Sequence, residues 1–114
     1  MTGPRRGSLF AGVPRELPAE LTTVLASGGE AGGARVERIV SRGHATAAGD
    51  WYEQHEDEWV LLVAGAARLE LSDGESVELA PGDWVDLPAG LRHRVDWTAP
   101  DIDTIWLAVF RAAQ

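Results

Sequence analysis

The stretch GDWVDLPAGLRHRVDW, Gly82 to Trp97, decides the fold. Two turn signals, Pro81-Gly82 and Pro88-Ala89-Gly90, bracket a short extended run from Trp84 to Leu87. A second run, Arg92 to Trp97, alternates polar and apolar residues. Successive side chains of an extended chain point to opposite faces, so His93, Val95 and Trp97 share one face and Arg92, Arg94 and Asp96 the other. Burying three charges is too costly, which gives them the water side and aims His93 inward. An inward imidazole is either a metal ligand or acid–base group, or a core histidine bonded to a backbone carbonyl.

Outward from this stretch, strands are expected at Val36 to Ser41, Glu58 to Ala64, Ala67 to Leu71, Val77 to Leu79 and Thr104 to Phe110. Gly65 and Ser72-Asp73-Gly74 interrupt them, and Gly43 to Gly49 reads as a loop. Both faces of Thr104 to Phe110 are apolar, so one should meet a second layer or another subunit. Ahead of the strands, Pro18 to Ala26 predicts a short helix: Pro18 suits a first turn, Glu20 a helix N-terminus, and Leu21, Val24 and Leu25 share a face. Met1 to Ser8 reads as a loose tail, with Leu9 and Phe10 docking behind it. The expected organisation is a tail and short helix over residues 1–30, then one all-β barrel domain over 31–114.

The chain's 114 residues suit one domain, and its hydrophobic fraction of 45% is that of a compact soluble fold. Ten basic residues, all arginine, stand against 18 acidic ones, for a formal charge of -8. A field of that sign repels phosphate backbones and anionic lipids, so neither nucleic acid nor membrane is an expected partner. The absence of cysteine excludes disulfides, thiolate catalysis and sulfur ligands. The longest apolar run is far too short for a membrane span, and no secretory signal follows Arg5 and Arg6. A cytoplasmic protein is the expectation.

The spacing Gly82, five residues, Pro88, one residue, Gly90, two residues, His93 resembles the second motif of the cupin superfamily. Trp97 departs from it, standing where that family usually has asparagine. The first cupin motif has two histidines one residue apart, then a glutamate, then a glycine. Glu58 and Gly65 match its glutamate and glycine at the right separation, but the histidine positions hold Tyr52 and Gln54, or Trp51 and Glu53, depending on the count. The segments Arg38 to His44 and Trp51 to Gln54 are similar to those of short bacterial cupin-domain proteins. The resemblance spans roughly Val36 to Phe110 and implies a jelly-roll barrel, or double-stranded β-helix, centred on a divalent metal. It fixes no reaction, since cupins include dioxygenases, isomerases, decarboxylases, lyases, storage proteins and sensors.

Two donor sets are open for such a metal. If Tyr52, Gln54 and Glu58 lie on one continuous strand, even spacing turns all three inward, and Gln54 and Glu58 join His93. Iron, manganese, nickel or zinc would suit that set. The alternative is His55, Glu58 and His93, which needs a bulge at Glu56-Asp57 because His55 and Glu58 have opposite parity. Against this, the acidic neighbours Glu53, Glu56 and Asp57 favour protonated His55. Asp50, Glu53, Glu56, Asp57 and Glu58 otherwise read as a solvated acidic face.

Tyr52, Gln54, Trp97 and His44 are the candidate ligand-binding residues, with Trp97 as a pocket wall and His44 at the mouth or capping a loop. Three functions are consistent with these residues. They are a metal-centred barrel acting on or holding a small organic molecule, a metal-free small-molecule binding module, and an interaction domain with an apolar outer face. A homodimer through barrel strands is expected, and no catalytic residue is assigned.

Overall fold

A computed structural model describes residues 3–28 and 33–113. The expected boundary between residues 30 and 31 lies outside the described residues. Eight strands follow in order: β1 (Leu21–Ser27), β2 (Arg35–Ser41), β3 (Glu56–Ala64), β4 (Ala67–Leu71), β5 (Ser76–Leu79), β6 (Trp84–Leu87), β7 (His93–Thr98) and β8 (Thr104–Ala112). They form a five-stranded sheet, β1-β2-β8-β3-β6, and a three-stranded sheet, β5-β4-β7. Every pairing is antiparallel. Val60, Leu62, Ala67, Leu69, Leu79, Leu87, Trp106, Ala108 and Phe110 make the buried core. They come from both sheets, so the architecture is the all-β sandwich of a jelly roll.

The helix expected over Pro18 to Ala26 does not form; Leu21–Ser27 is a strand. Its burial follows a period of two, with Leu21, Thr23 and Leu25 half-buried between exposed Thr22, Val24 and Ala26. Pairing with β2 from Leu21↔Val40 onward supplies ladder bonds that a helix would forgo, and Thr22, Thr23 and Val24 are β-branched. The helical spacing of Leu21, Val24 and Leu25 loses to this tertiary pairing.

Register fixes the faces of the large sheet. Ile39 pairs with Trp106 and Glu58 with Phe110, and these side chains point inward. Val40 and its partner Ile105 therefore point outward, yet both are buried. The cover is the N-terminal segment. Arg38, on the same face, donates to the carbonyls of Leu9 and Ala11, and Arg42 donates to that of Arg15 at 2.9 Å. Leu9, Val13 and Leu17 are the half-buried side chains of that segment. The second layer expected over the last strand is thus supplied in part by the chain itself.

Gly65, between β3 and β4, is the most crowded of the described glycines. Its φ is +92°, and a Cβ there would stand 2.6 Å from Thr104 Cα. Only glycine fits both constraints.

Candidate functional site

The site is built around a single backbone bridge. Tyr52 N–H donates to the His93 carbonyl at 2.7 Å, and His93 N–H donates to the Tyr52 carbonyl at 3.0 Å. Residues opposed in this way project their side chains to the same face, and the two rings lie 5.7 Å apart, tilted by 35°. Gln54 follows two positions on. Its carbonyl accepts the N–H of Gly90, and Asp57 accepts that of Ala89 at 2.7 Å, so the turn preceding β7 is pinned to the start of β3. Glu58 lies further along β3, opposite Leu87 of β6 and Phe110 of β8.

His93 is 6% exposed and Glu58 8%. His93 Nδ1 stands 3.0 Å from the Leu91 carbonyl. A carbonyl only accepts, so Nδ1 carries the proton there and Nε2 faces Glu58 Oε1 at 3.7 Å. Burial pulls the imidazole pKa down, but the Glu58 carboxylate and the Leu91 carbonyl outweigh it, and the balance lies above the ordinary histidine value.

These groups open on a cavity of about 190 Å3 between the two sheets. Its polar lining is Glu20, Thr22, Tyr52, Gln54, Glu58 and His93. Ile39, Val60, Leu69, Leu87, Val95, Trp106 and Phe110 supply the apolar walls.

The structure thus gathers Tyr52, Gln54, Glu58 and His93 into one cavity, although Glu53 to His55 leave the strand between Tyr52 and β3. His55 is exposed and does not line it. β3 already begins at Glu56, so no bulge at Glu56-Asp57 turns His55 toward Glu58. His44 does not line the cavity; it lines a neighbouring hollow with Glu20, Tyr52 and Val95, and its Nδ1 accepts the Arg42 N–H at 2.9 Å.

Trp97 does not line the cavity. Leu69 pairs with Val95 and Arg68 with Trp97, leaving Asp96 as an extra residue in β7. This bulge reverses the parity, so Thr98 rather than Trp97 follows His93 and Val95 inward. Trp97 faces out beside Arg68 and Glu78, 40% exposed.

The acidic stretch is not a uniformly solvated face. Asp57 and Glu58 are buried, Glu56 meets Arg35 at 3.1 Å, and Glu53 lies 3.7 Å from Arg92. Glu20, Trp106 and Phe110 are cavity residues that sequence patterning did not single out. The parity of Thr104 to Phe110 puts both aromatics on one face without saying which, and a helix over Pro18 to Ala26 gives Glu20 no place in a cavity between sheets.

A divalent ion would find few strong donors in this cavity. Glu58 and His93 converge, and His93 is oriented through its Nδ1–H in the manner of a metal-bound imidazole. Among the described residues, however, no group of three or more histidine, cysteine or acidic side chains is placed to hold an ion. Gln54 and Tyr52 add only neutral oxygens. Two strong donors fall short of the three protein ligands of catalytic zinc sites, so the set does not fit a tightly held zinc ion.

Residues 39–110 match the family described as Cupin domain. Among solved structures, one described as a putative mannose-6-phosphate isomerase from Ralstonia eutropha JMP134 is 41% identical to this chain. That alignment covers 96% of this chain and 100% of the other, with a TM-score of 0.89. A cupin superfamily protein from Desulfitobacterium hafniense DCB-2 aligns at TM-score 0.73 and 17% identity, covering 96% of this chain and 94% of that one. A DMSP lyase from Ruegeria pomeroyi DSS-3 aligns at 0.65 and 20% identity over 82% of this chain and 47% of its own. The last two show likeness of fold alone. Among curated proteins, none matches. No helix among the described residues is long and apolar enough to cross a membrane.

Proposed function

This chain belongs to the cupin family, and on that footing we propose that it binds a small organic molecule inside the barrel without a tightly held metal. Glu58 and His93 form the polar end of the pocket. The observation that carries this reading is the buried Glu58–His93 pair at 3.7 Å, opening with Tyr52 and Gln54 on a cavity whose remaining walls are mostly apolar. An imidazolium donates and a carboxylate accepts, so the pair can hold a hydroxyl group through both its oxygen and its hydrogen, and a carbonyl through the imidazolium alone. The same pair can pass one proton to and from a bound molecule, which is the acid–base chemistry the site supplies should it turn over a substrate. Tyr52 and Gln54 orient the molecule, and the apolar walls exclude water from around it.

Elemental analysis and ligand binding test this together. Untagged protein is loaded with iron, manganese, nickel or zinc, treated with chelator and assayed. Metal well below one ion per chain is expected, together with entry of small alcohols and amides into the pocket, read from the Trp106 indole N–H signal. Stoichiometric metal that survives the chelator and is lost in His93→Ala would overturn the metal-free reading. It would make Gln54, Glu58 and His93 the ligand set.

A further inference from the structure

We propose that the molecule held in this pocket is a small organic cation, a protonated or quaternary amine, whose charged head rests against Glu20 between Tyr52 and Trp106. This deepens the reading of the cavity as a ligand site and rests on it.

Glu20 immediately precedes β1, and the pairing Leu21↔Val40 sets it beside Ser41, on the inward face shared with Ile39. Its carboxylate is held there: Ser41 Oγ donates to Glu20 Oε2 at 2.7 Å and accepts the Trp106 Nε1–H at 3.2 Å. The Ser41 hydroxyl thus directs its proton to the carboxylate and its lone pair to the indole. Glu20 lies at the Ser41–Thr104 end of the sheet, whereas Glu58 lies at the Phe110 end.

The charges of the pocket do not balance. Glu58 is matched by His93, while among the described residues no basic side chain pairs with Glu20. The nearby arginines are committed elsewhere: Arg42 to Asp103 at 2.7 Å, Arg38 to backbone carbonyls, and Arg94 to the Thr46 carbonyl at 3.0 Å. No arginine is among the lining residues. A phosphate or carboxylate ligand would therefore meet two carboxylates with only one imidazole to offset them.

A cation meets the opposite conditions. Glu20 supplies the counter-charge, and the aromatic residues Tyr52 and Trp106 line the same cavity; a carboxylate with aromatic neighbours is a combination that recognises ammonium groups. The rest of an amine of a few carbons fits the apolar walls, and its far end reaches toward Glu58 and His93. The formal charge of -8 raises the local concentration of cations around the mouth.

Three molecules of one size test the inference: n-butylammonium, n-butanol and butyrate, titrated into the full chain with the Trp106 indole N–H followed by NMR. The expected result is that butylammonium binds about tenfold or more tightly than butanol, and that butyrate does not bind. Glu20→Gln should abolish that preference while leaving butanol binding and the melting temperature in place. Butanol binding as tightly as butylammonium, or any binding of butyrate, would overturn the cation assignment and leave the cavity reading standing. Entry of none of the three would overturn both. An unchanged preference in Glu20→Gln, with Glu58→Gln removing it, would strip Glu20 of its role.

Discussion

Tyr52 and His93 face each other through two reciprocal backbone hydrogen bonds of 2.7 and 3.0 Å, outside any other ladder contact of Tyr52. Side-chain position in the cavity therefore depends on the backbone amide of residue 52. Tyr52→Pro removes that amide and its bond. The expected outcome is loss of ligand-induced change at the Trp106 indole, while Tyr52→Phe, which keeps the amide, retains it. Two-dimensional NMR of the two variants distinguishes them.

The His93 pair makes stability depend on pH. Its folded-state pKa lies above the unfolded value of about 6.5, so the folded chain holds the proton more tightly. The stabilisation is full below that value and is lost as pH rises through the folded one. Urea unfolding of the wild type and His93→Gln should show a larger stability gap at about pH 5.5 than at about pH 8.5. In a Glu58→Gln background the gap should flatten, because the carboxylate that raises the pKa is gone.

Gly65 and Gly74 share a φ of +92°, but only Gly65 is crowded. Gly74→Ala meets open space and should cost about 1 kcal/mol for its left-handed backbone. Gly65→Ala also drives a methyl group against the Thr104 backbone and should cost about 3 kcal/mol or more. Denaturant midpoints of the two variants check the ratio.

Arg38 holds the N-terminal segment by its bonds to the Leu9 and Ala11 carbonyls. A hydrogen bond from a charged donor contributes about 1.5–3 kcal/mol, so Arg38→Leu should open the segment about tenfold more often. Trypsin cleavage after Arg15, followed by mass spectrometry, should accelerate by that factor while the barrel stays intact.

The outer face of β3, β6 and β8 carries half-buried Trp59, Leu61, Leu107 and Val109, with Trp84 60% exposed. The ring centroids of Trp59 and Trp84 lie 6.1 Å apart, and on the same face Asp86 and Arg111 form an ion pair of 2.8 Å. One acid and one base at the rim of an apolar patch let two copies exchange partners across a twofold axis. The expected homodimer should therefore form through this face, and Trp84→Glu should give a monomer by sedimentation velocity. A monomeric wild type removes the expectation.

From Arg35 onward, the strands were legible because Gly and Pro turns punctuate them, and the bounds of β4 and β6 match the alternation residue for residue. The inward direction of His93 was legible because its neighbours are charged. Trp97 was not, since a one-residue bulge at Asp96 leaves no mark in a hydrophobic pattern. β1 was hidden for a different reason: an edge strand with one half-buried face carries a weak period-two signal, and Leu21, Val24 and Leu25 fit a helix by accident. Glu20 was lost with it, because its place in the cavity exists only once β1 lies against β2.

The Glu20–Ser41 contact has a bearing on how the chain is divided. The family match begins at residue 39, so Glu20, Thr22 and the covering arm all lie upstream of it. A recombinant form trimmed to those limits would expose Val40 and Ile105 to solvent and leave the cavity without its acidic flank. The same partition offers a route for redesign: exchanging the first two dozen residues would alter what the barrel selects while sparing the Glu58–His93 machinery.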